Sequence, residues 1–354
     1  MIQKKQLVFD AERMKYLHTG LYHYCLQLGL ALKQEIDENT EELKFYVRPG
    51  HEKSFGENAQ YIEQHGLHKF FMPTKNATVW HTTYQATNYF PFRKNVKVVF
   101  TIHDLNVLHE NKMSLKRLKK ELNKIQKRID AADHIVAISH FTLADVKNNL
   151  KLHNKPVTVI HNGCNIQPIS HIAAPQQLPS GEFLFTIGTI NAKKNFHVLP
   201  CLLEGNKMQL FIAGITDDEN YKQLIINEAQ KYGVADRVIF TGTINENDKQ
   251  WYLKNCAAFV FPSLAEGFGL PVIEAMYFGR PVVLSNATAL PEIGGPDAFY
   301  FNDFEPENMR AVLQNALNNF IEYPEVANKL RARAGMFTWA DAAKKYIEVY
   351  RSLY

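Results

Sequence analysis

Short, unbroken apolar runs alternate with longer amphipathic segments along the whole chain. In the first half, runs rich in Val, Ile and Phe predict strands at 6–11, 43–48, 77–82, 96–104, 134–139 and 157–162. In the second half they fall at 183–189, 208–214, 237–243, 257–263 and 281–286. Continuous runs, unlike alternating ones, suit strands of parallel sheets covered on both faces. Helical periodicity fills the intervals, as in LYHYCLQLGLALKQEI after the first run and DENYKQLIINEAQKYG after the eighth. This alternation predicts an α/β chain of doubly wound, Rossmann-like sheets. Eleven predicted strands exceed one ordinary sheet, so two such domains are expected. The proline-bearing stretch QPISHIAAPQQLPSG (167–181) reads as the linker. The expected domains are therefore 1–167 and 182–338, with a ligand cleft between them, since doubly wound sheets bind ligands at the carboxyl ends of their strands.

A length of 354 residues agrees with two domains. The net charge of +4 is too mild for a nucleic-acid partner but compatible with small anionic ligands such as phosphates. Cys25, Cys164, Cys201 and Cys256 lie far apart with no CxxC spacing, which reads as buried thiols in a reducing compartment. No apolar run approaches the ~20 residues that span a bilayer. The apolar segment near the N-terminus is too short for a signal peptide. A cytoplasmic protein is expected, with any membrane attachment peripheral. The chain has no GxxxxGK[ST] loop, no GxGxxG after a strand and no DxD pair. Magnesium takes hard oxygen ligands, so a bound diphosphate would be neutralised by the protein's own donors and cations. No metal and no cofactor is expected.

The stretch SLAEGFGLPVIEAMYFGRPVV (263–283) concentrates the chemistry. Gly267 and Gly269 permit a tight backbone and close approach of a ligand. Pro271 suits the first helical position, where a missing N–H costs nothing. The amides around Gly269 and Leu270 then form an anion site, reinforced by roughly +0.5 charge of helix dipole. Glu266 precedes the turn and Glu274 lies one turn into the helix. Ionised carboxylates accept hydrogen bonds, and sugars offer hydroxyl donors. Two acids flanking an anion site suit a ligand with phosphates in the middle and sugar hydroxyls at both ends, the shape of a nucleotide sugar. A Glu near a helix start also simply complements the dipole. Apolar Val272, Ile273, Ala275 and Met276 indicate a buried helix, where an unpaired acid is costly.

PSLAEGFGLPVIEAMYFGRPVVLSN resembles the E-x7-E signature of retaining GT-B glycosyltransferases of family four. FLFTIGTINAKKNF, RVIFTGTI and ALPEIGG extend the resemblance over about 183–300, and TGLYHY, VVFTIHDLNVL and VTVIHNG carry it more weakly into the first half. The resemblance implies a GT-B fold of two Rossmann-like domains, with the C-terminal helix (339–354) crossing back onto the first. It implies that Glu274 holds the ribose hydroxyls and that Glu266 faces the donor sugar. The amides of Gly267, Phe268, Gly269 and Leu270 would touch sugar and diphosphate, and Lys194 the diphosphate. Thr243 and Ile244 belong to the nucleotide-base segment. Where the family often has an arginine after the strand glycine, this chain has Thr189, and Lys193 stands in as a second cation without an arginine's bidentate fork. In the first domain the resemblance places Gly20 against the donor phosphate and His103 beside the donor sugar. Gly20 is otherwise a plain turn glycine, and Asp104 either orients His103 or caps the next turn.

The implied reaction moves a sugar from a nucleoside diphosphate to a hydroxyl of a glycan or lipid-linked acceptor, with anomeric configuration retained. Retention commonly involves a carboxylate nucleophile, and none is evident here. The resemblance instead implies front-face substitution, with the leaving phosphate taking the acceptor's proton while Lys194 and the amides at 267–270 stabilise it. Two other readings stay open: a nucleotide-sugar epimerase of the same architecture, and a non-catalytic partner of another transferase. SLKRLKKELNKIQKRI (114–129) places Leu115, Leu118, Leu122, Ile125 and Ile129 on one helical face and Lys and Arg on the other. It reads as a packed helix with a solvated basic face, or as a contact with an anionic membrane surface.

Overall fold

Strands buried on both faces can only sit inside a sheet covered by helices, and the computed structural model has two such sheets. It describes residues 3–17, 19–92, 95–109, 114–167, 169 and 171–354; Pro168 and Ser170 of the linker stretch lie outside these. The chain divides into two units, Met1–Asn165 with Phe337–Tyr354, and Ile166–Met336.

The first unit runs β1 (Lys5–Asp10), α1 (Gly20–Glu35), β2 (Glu41–Val47), β3 (Gln60–Glu63), β4 (Val79–Thr82), β5 (Lys97–Ile102), α2 (Leu115–Ala131), β6 (His134–Ala137), α3 (His140–Asn149) and β7 (Val157–Val159). Its parallel sheet has the order β3-β2-β1-β4-β5-β6-β7. Trp80, Phe100 and Ile135 meet Ile125 and Ile129 of α2 in one core. The expected apolar face of α2 is buried only toward its C-terminal half. Leu115, at the opposite end of the helix from buried Ile125 and Ile129, is 76% exposed.

The second unit runs β8 (Phe183–Ile187), β9 (Gln209–Ala213), α4 (Glu219–Lys231), β10 (Val238–Gly242), α5 (Glu246–Asn255), β11 (Ala258–Phe261), α6 (Leu270–Tyr277), β12 (Val282–Ser285), α7 (Leu290–Gly294), β13 (Phe299–Phe301), α8 (Pro306–Glu322) and α9 (Val326–Gly335). Its parallel sheet has the order β10-β9-β8-β11-β12-β13. All eleven strands predicted from apolar runs are present. β3 (QYIE) and β13 (FYF) are additional. Both are edge strands with one pairing partner. β3 is only half-buried and lacks an unbroken apolar run, and the apolar run of β13 is only three residues long.

The last helix, α10 (Trp339–Arg351), belongs to the first unit, where it packs on α1. Its inner face is tied by a buried polar network. Tyr350 Oη lies 2.7 Å from His81 Nδ1, His81 Nε2 lies 2.8 Å from Thr101 Oγ1, and Tyr346 Oη lies 2.9 Å from both Thr101 Oγ1 and Tyr24 Oη. At the far end, Arg351 grips buried Glu41 through Nε at 2.7 Å and Nη2 at 2.9 Å, and Tyr354 donates to the same carboxylate at 2.7 Å. Burial is opposed by these donors, which together hold Glu41 below the usual carboxylate range.

Burial, with His103 nearby, pushes the His81 imidazole down to about 3. Both histidines are therefore neutral in the folded chain, while in the unfolded chain they titrate near ~6.5. Below that value the unfolded state binds more protons, so their contribution to stability is complete above pH ~6.5 and declines as pH falls. Buried Asp10, raised to about 8 chiefly by desolvation, acts in the opposite sense over the same window. The stability difference between wild type and His81→Asn should accordingly shrink between pH 7 and pH 5 in urea unfolding. Parallel stability curves would show that His81 is not buried neutral.

Candidate active site

The order β9-β8-β11-β12 means that the chain winds away in opposite directions from β8 and β11, which opens a crevice at their carboxyl ends. Two loops meet there. The loop after β8 begins with Gly188 and reaches a short turn at Ala192–Lys194. Gly188 lies so close to Gly214 that a Cβ on Gly214 would stand 2.0 Å from the Gly188 carbonyl oxygen. A Cβ on Gly188 would stand 3.0 Å from Lys194 Cε, so the glycine leaves a channel for the lysine stem.

Lys194 Nζ ends 2.5 Å from Glu266 Oε1 and 4.8 Å from the centroid of Phe261. The two charged side chains are 13% and 14% exposed, so little water screens them. Burial raises the Glu266 carboxyl, but Lys194 and Lys193 outweigh it and hold the group below its usual range. The loop after β11 is pinned to its neighbours: the Leu264 amide donates to the Lys193 carbonyl at 2.9 Å and the Glu266 amide to Thr288 Oγ1 at 3.0 Å. Thr288 has φ 53, a left-handed conformation that is strained for a β-branched residue. Such strain persists only where the surroundings over-determine it, and it is enriched at functional sites.

Gly269, at φ 104, turns the chain into α6, and Pro271 sits in the first turn. A Cβ on Gly269 would come within 2.9 Å of Leu290. Val272, Ile273, Ala275 and Met276 are wholly buried, and Glu274 is 3% exposed among them. The acid is compensated by Lys249 of α5, whose Nζ lies 3.1 Å from Glu274 Oε1 and 2.9 Å from Glu246 Oε2. Burial lowers the Lys249 ammonium, but the two carboxylates prevail and leave it above its ordinary value.

The structure thus brings Lys194 and Glu266 into direct contact, and gives Glu274 its own lysine. Gly267, Phe268 and Gly269 are buried, and Leu270 is half-buried. Thr189 and Lys193 are half-buried in the loop after β8. Thr243 is exposed and Ile244 half-buried, just ahead of Asn245, which caps α5. Sequence patterning missed Lys249 and Thr288. Lys249 stands in the polar helix ENDKQWYLKN, and its spacing of three from Glu246 was the one signal of pairing. Nothing in the sequence marks Thr288 as left-handed.

His103 and Gly20 lie in the first unit. Gly20 is exposed and opens α1, which Thr19 caps by accepting from the Tyr22 amide at 3.3 Å. His103 follows β5 and is 6% exposed. Its Nε2 lies 2.8 Å from the Thr83 carbonyl, which fixes the proton on Nε2 and leaves Nδ1 an acceptor. Burial lowers its pKa to about 4, so at neutral pH the ring is uncharged.

The description "Glycosyl transferases group 1" matches residues 172–335, and "Glycosyltransferase Family 4" matches 55–167. The serotype-specific mannosyltransferase WbdA of Escherichia coli is 33% identical over 180 residues, 49% of this chain. The match spans only 22% of WbdA. O-antigen chain mannosyltransferase B of Escherichia coli is 25% identical across 98% of this chain and all of its own length. Among solved structures, sucrose-phosphate synthase from Thermosynechococcus elongatus superposes with a TM-score of 0.75 at 19% identity, over 99% of both chains. HepE from Anabaena, in complex with UDP and glucose, superposes with a TM-score of 0.74 at 15% identity, over 98% of this chain and 100% of its own. At these identities the structures establish the shared fold.

Lys249→Met removes the cation while leaving Glu274 buried. Removing one partner of a buried pair costs about 3–5 kcal/mol, so a loss near that size is expected in urea unfolding. Adding Glu274→Leu should recover much of it. If the double variant is no more stable than Lys249→Met alone, the pair does not carry the stability assigned to it.

Proposed function

For a chain that belongs to the group 1 glycosyltransferases, we propose retaining, metal-independent transfer of a hexose from a nucleoside diphosphate sugar to an acceptor hydroxyl, in bacterial glycan synthesis. The observation that carries this reading is the Lys194–Glu266 pair at the carboxyl ends of β8 and β11, beside the helix start at Gly269. The diphosphate lies against the amides of 267–270 and Lys194, with Thr189 and Lys193 beside it. Lys194 has three N–H donors and spends one on Glu266, so it can also serve a phosphate oxygen. Glu266 takes hydroxyls of the transferred sugar. Glu274 takes the ribose hydroxyls with the oxygen that Lys249 leaves free. Thr243 and Ile244 border the base. Within the first unit, Gly20 is assigned a close backbone approach and neutral His103 the role of a hydroxyl acceptor through Nδ1.

Bond breaking builds negative charge on the departing phosphate. Preorganised donors at that position are the main electrostatic lever on the barrier. Glu266 is engaged by Lys194 and is not assigned the part of a nucleophile. Front-face departure, with the leaving oxygen taking the acceptor's proton, therefore fits the side chains present. The two mannosyltransferase relatives make a nucleoside diphosphate mannose the first donor to test. An acceptor carried on a lipid fits the exposed basic face of α2, with Lys116, Arg117, Lys119, Lys120 and Lys127 facing solvent. Among the described residues no helix is long and apolar enough to cross a membrane.

Glu274→Ala should lower kcat/KM tenfold to several hundredfold, the loss of one or two charge-assisted hydrogen bonds at roughly 1.5–3 kcal/mol each. A chelator should leave the rate unchanged. Donor supplied without acceptor should release nucleoside diphosphate slowly and yield no isomerised sugar. An unaltered kcat/KM in Glu274→Ala would remove the donor assignment, and an isomerised donor would favour an epimerase.

Vesicles containing anionic lipid should sediment the protein, and neutral vesicles should not. Equal sedimentation with both would exclude an electrostatic membrane contact through α2.

A further inference from the structure

The segment after β12 holds the backbone of Glu266 on both sides. The Glu266 amide donates to Thr288 Oγ1 at 3.0 Å, and the Glu266 carbonyl accepts the Ala289 amide at 3.3 Å. Ahead of Glu266, the Ser263 carbonyl accepts Ser285 Oγ at 2.5 Å. Beyond it, a Cβ on Gly269 would come within 2.9 Å of the Leu290 side chain. Ser263, Ser285, Ala289 and Leu290 are buried, so little water competes for these contacts. Residues 285–290 therefore form a template on which the turn 263–269 is laid. Thr288 and Ala289 grip that turn at the residue whose carboxylate meets Lys194.

Thr288 makes its contact from a backbone that disfavours threonine. Its φ of 53 lies in the left-handed region, where glycine is unstrained and a β-branched residue is an outlier. The other non-glycine residues with positive φ among those described are Asn76, His153, Asn154 and Asn195, types that tolerate this region. A glycine at 288 would suit the backbone but leave the Glu266 amide without this acceptor. What threonine adds is the hydroxyl, and the hydroxyl goes to Glu266. Strain of this kind persists only where the surroundings enforce it, and an observed outlier is a reason to look for a function. A group that binds a ligand must be held to within about 0.5 Å of its working position. Thr288 is the side chain that holds the Glu266 backbone, next to the ion pair of the crevice.

We propose that Thr288 is a positioning residue, whose hydroxyl sets the place of Glu266 and thereby how tightly the hexose of a bound donor is held. The part concerning the hexose rests on the transferase reading above. The test is isothermal titration of the full chain with UDP, GDP, ADP and dTDP and with hexose conjugates of each. It compares wild type with Thr288→Ser, Thr288→Val and Thr288→Gly, each checked for folding by circular dichroism. The quantity read is the affinity for a hexose conjugate divided by that for its nucleoside diphosphate, so a general weakening cancels. Wild type should bind at least one nucleoside diphosphate and its conjugate. Thr288→Ser keeps the hydroxyl and should stay within about threefold of the wild-type ratio. Thr288→Val keeps the shape without the acceptor, and its ratio should fall about tenfold, the loss of one charge-assisted hydrogen bond from the displaced carboxylate. Thr288→Gly suits the left-handed backbone, so it serves where the valine variant does not fold, and its ratio should fall as far. Valine and glycine variants with the wild-type ratio overturn the inference even if they bind every ligand more weakly, because a merely structural contact would do that. So does a serine variant as impaired as the valine one. A wild type that binds a nucleoside diphosphate but no hexose conjugate overturns the inference and leaves the nucleotide end of the site standing. A wild type that binds none of these nucleotides overturns the transferase reading with it.

Discussion

A carboxylate withdrawn from water must be matched by a cation or by hydrogen-bond donors, and the arrangement at the start of α6 follows from that constraint. Glu266 and Glu274 both lie in poorly hydrated positions of the second unit, and each has its own lysine. The two pairs are built differently. Glu274 meets Lys249 across α5 and α6, two helices packed on the same sheet. Glu266 meets Lys194 across the two loops that diverge from β8 and β11. The second pair therefore sits where the topology itself opens a crevice.

Beneath α10 the first unit also buries polar groups without charge, beside its Arg351–Glu41 ion pair. His81, Thr101, Tyr24, Tyr346 and Tyr350 form a chain of neutral donors and acceptors that joins α10 to β4, β5 and α1. A hydroxyl can turn to donate or accept, so such a network satisfies its members without a buried ion. His103 belongs to the same style of construction, held by the Thr83 carbonyl and flanked by the edge of Tyr24 at 4.5 Å. Its burial excludes the imidazolium form at neutral pH. The uncharged ring, with its proton on Nε2, presents Nδ1 as an acceptor.

The fold was legible in the sequence wherever burial on both faces left an unbroken apolar run, as in FLFTI and AFVF. It was illegible at the edge strand β3, since QYIE shows the same polarity as a loop. The basic helix shows a subtler limit. Periodicity identified the inward stripe of α2, but how far along the helix burial extends is a tertiary fact, and Leu115 falls beyond it. At the candidate site, glycines and the Pro271 start were readable because backbone geometry restricts which residues fit. Glu266 and Lys194 are 72 positions apart, and their contact follows from the pairing of β8 with β11, which no local pattern encodes. Lys249 was illegible for a related reason: a lysine on a polar helix looks solvated until the neighbouring helix is placed.

The Lys194–Glu266 contact also bears on mechanism. A carboxylate that attacks an anomeric carbon does so through one ionised oxygen, and a hydrogen-bonded cation makes that oxygen less nucleophilic. Glu266 has such a cation, with Lys194 at hydrogen-bond distance and Lys193 adding to the field. Lys194 is well suited to a charge that grows on a phosphate, because it is already fixed in place by Phe261, Gly188 and the Glu266 carboxylate. A donor diphosphate entering the crevice would turn a two-member ion pair into a three-member one, with Lys194 at its centre. In the proposed transfer the acid would aim the lysine as well as bind the sugar. Stabilisation of the departing phosphate is the part of that proposal which the fixed Lys194 supports most directly.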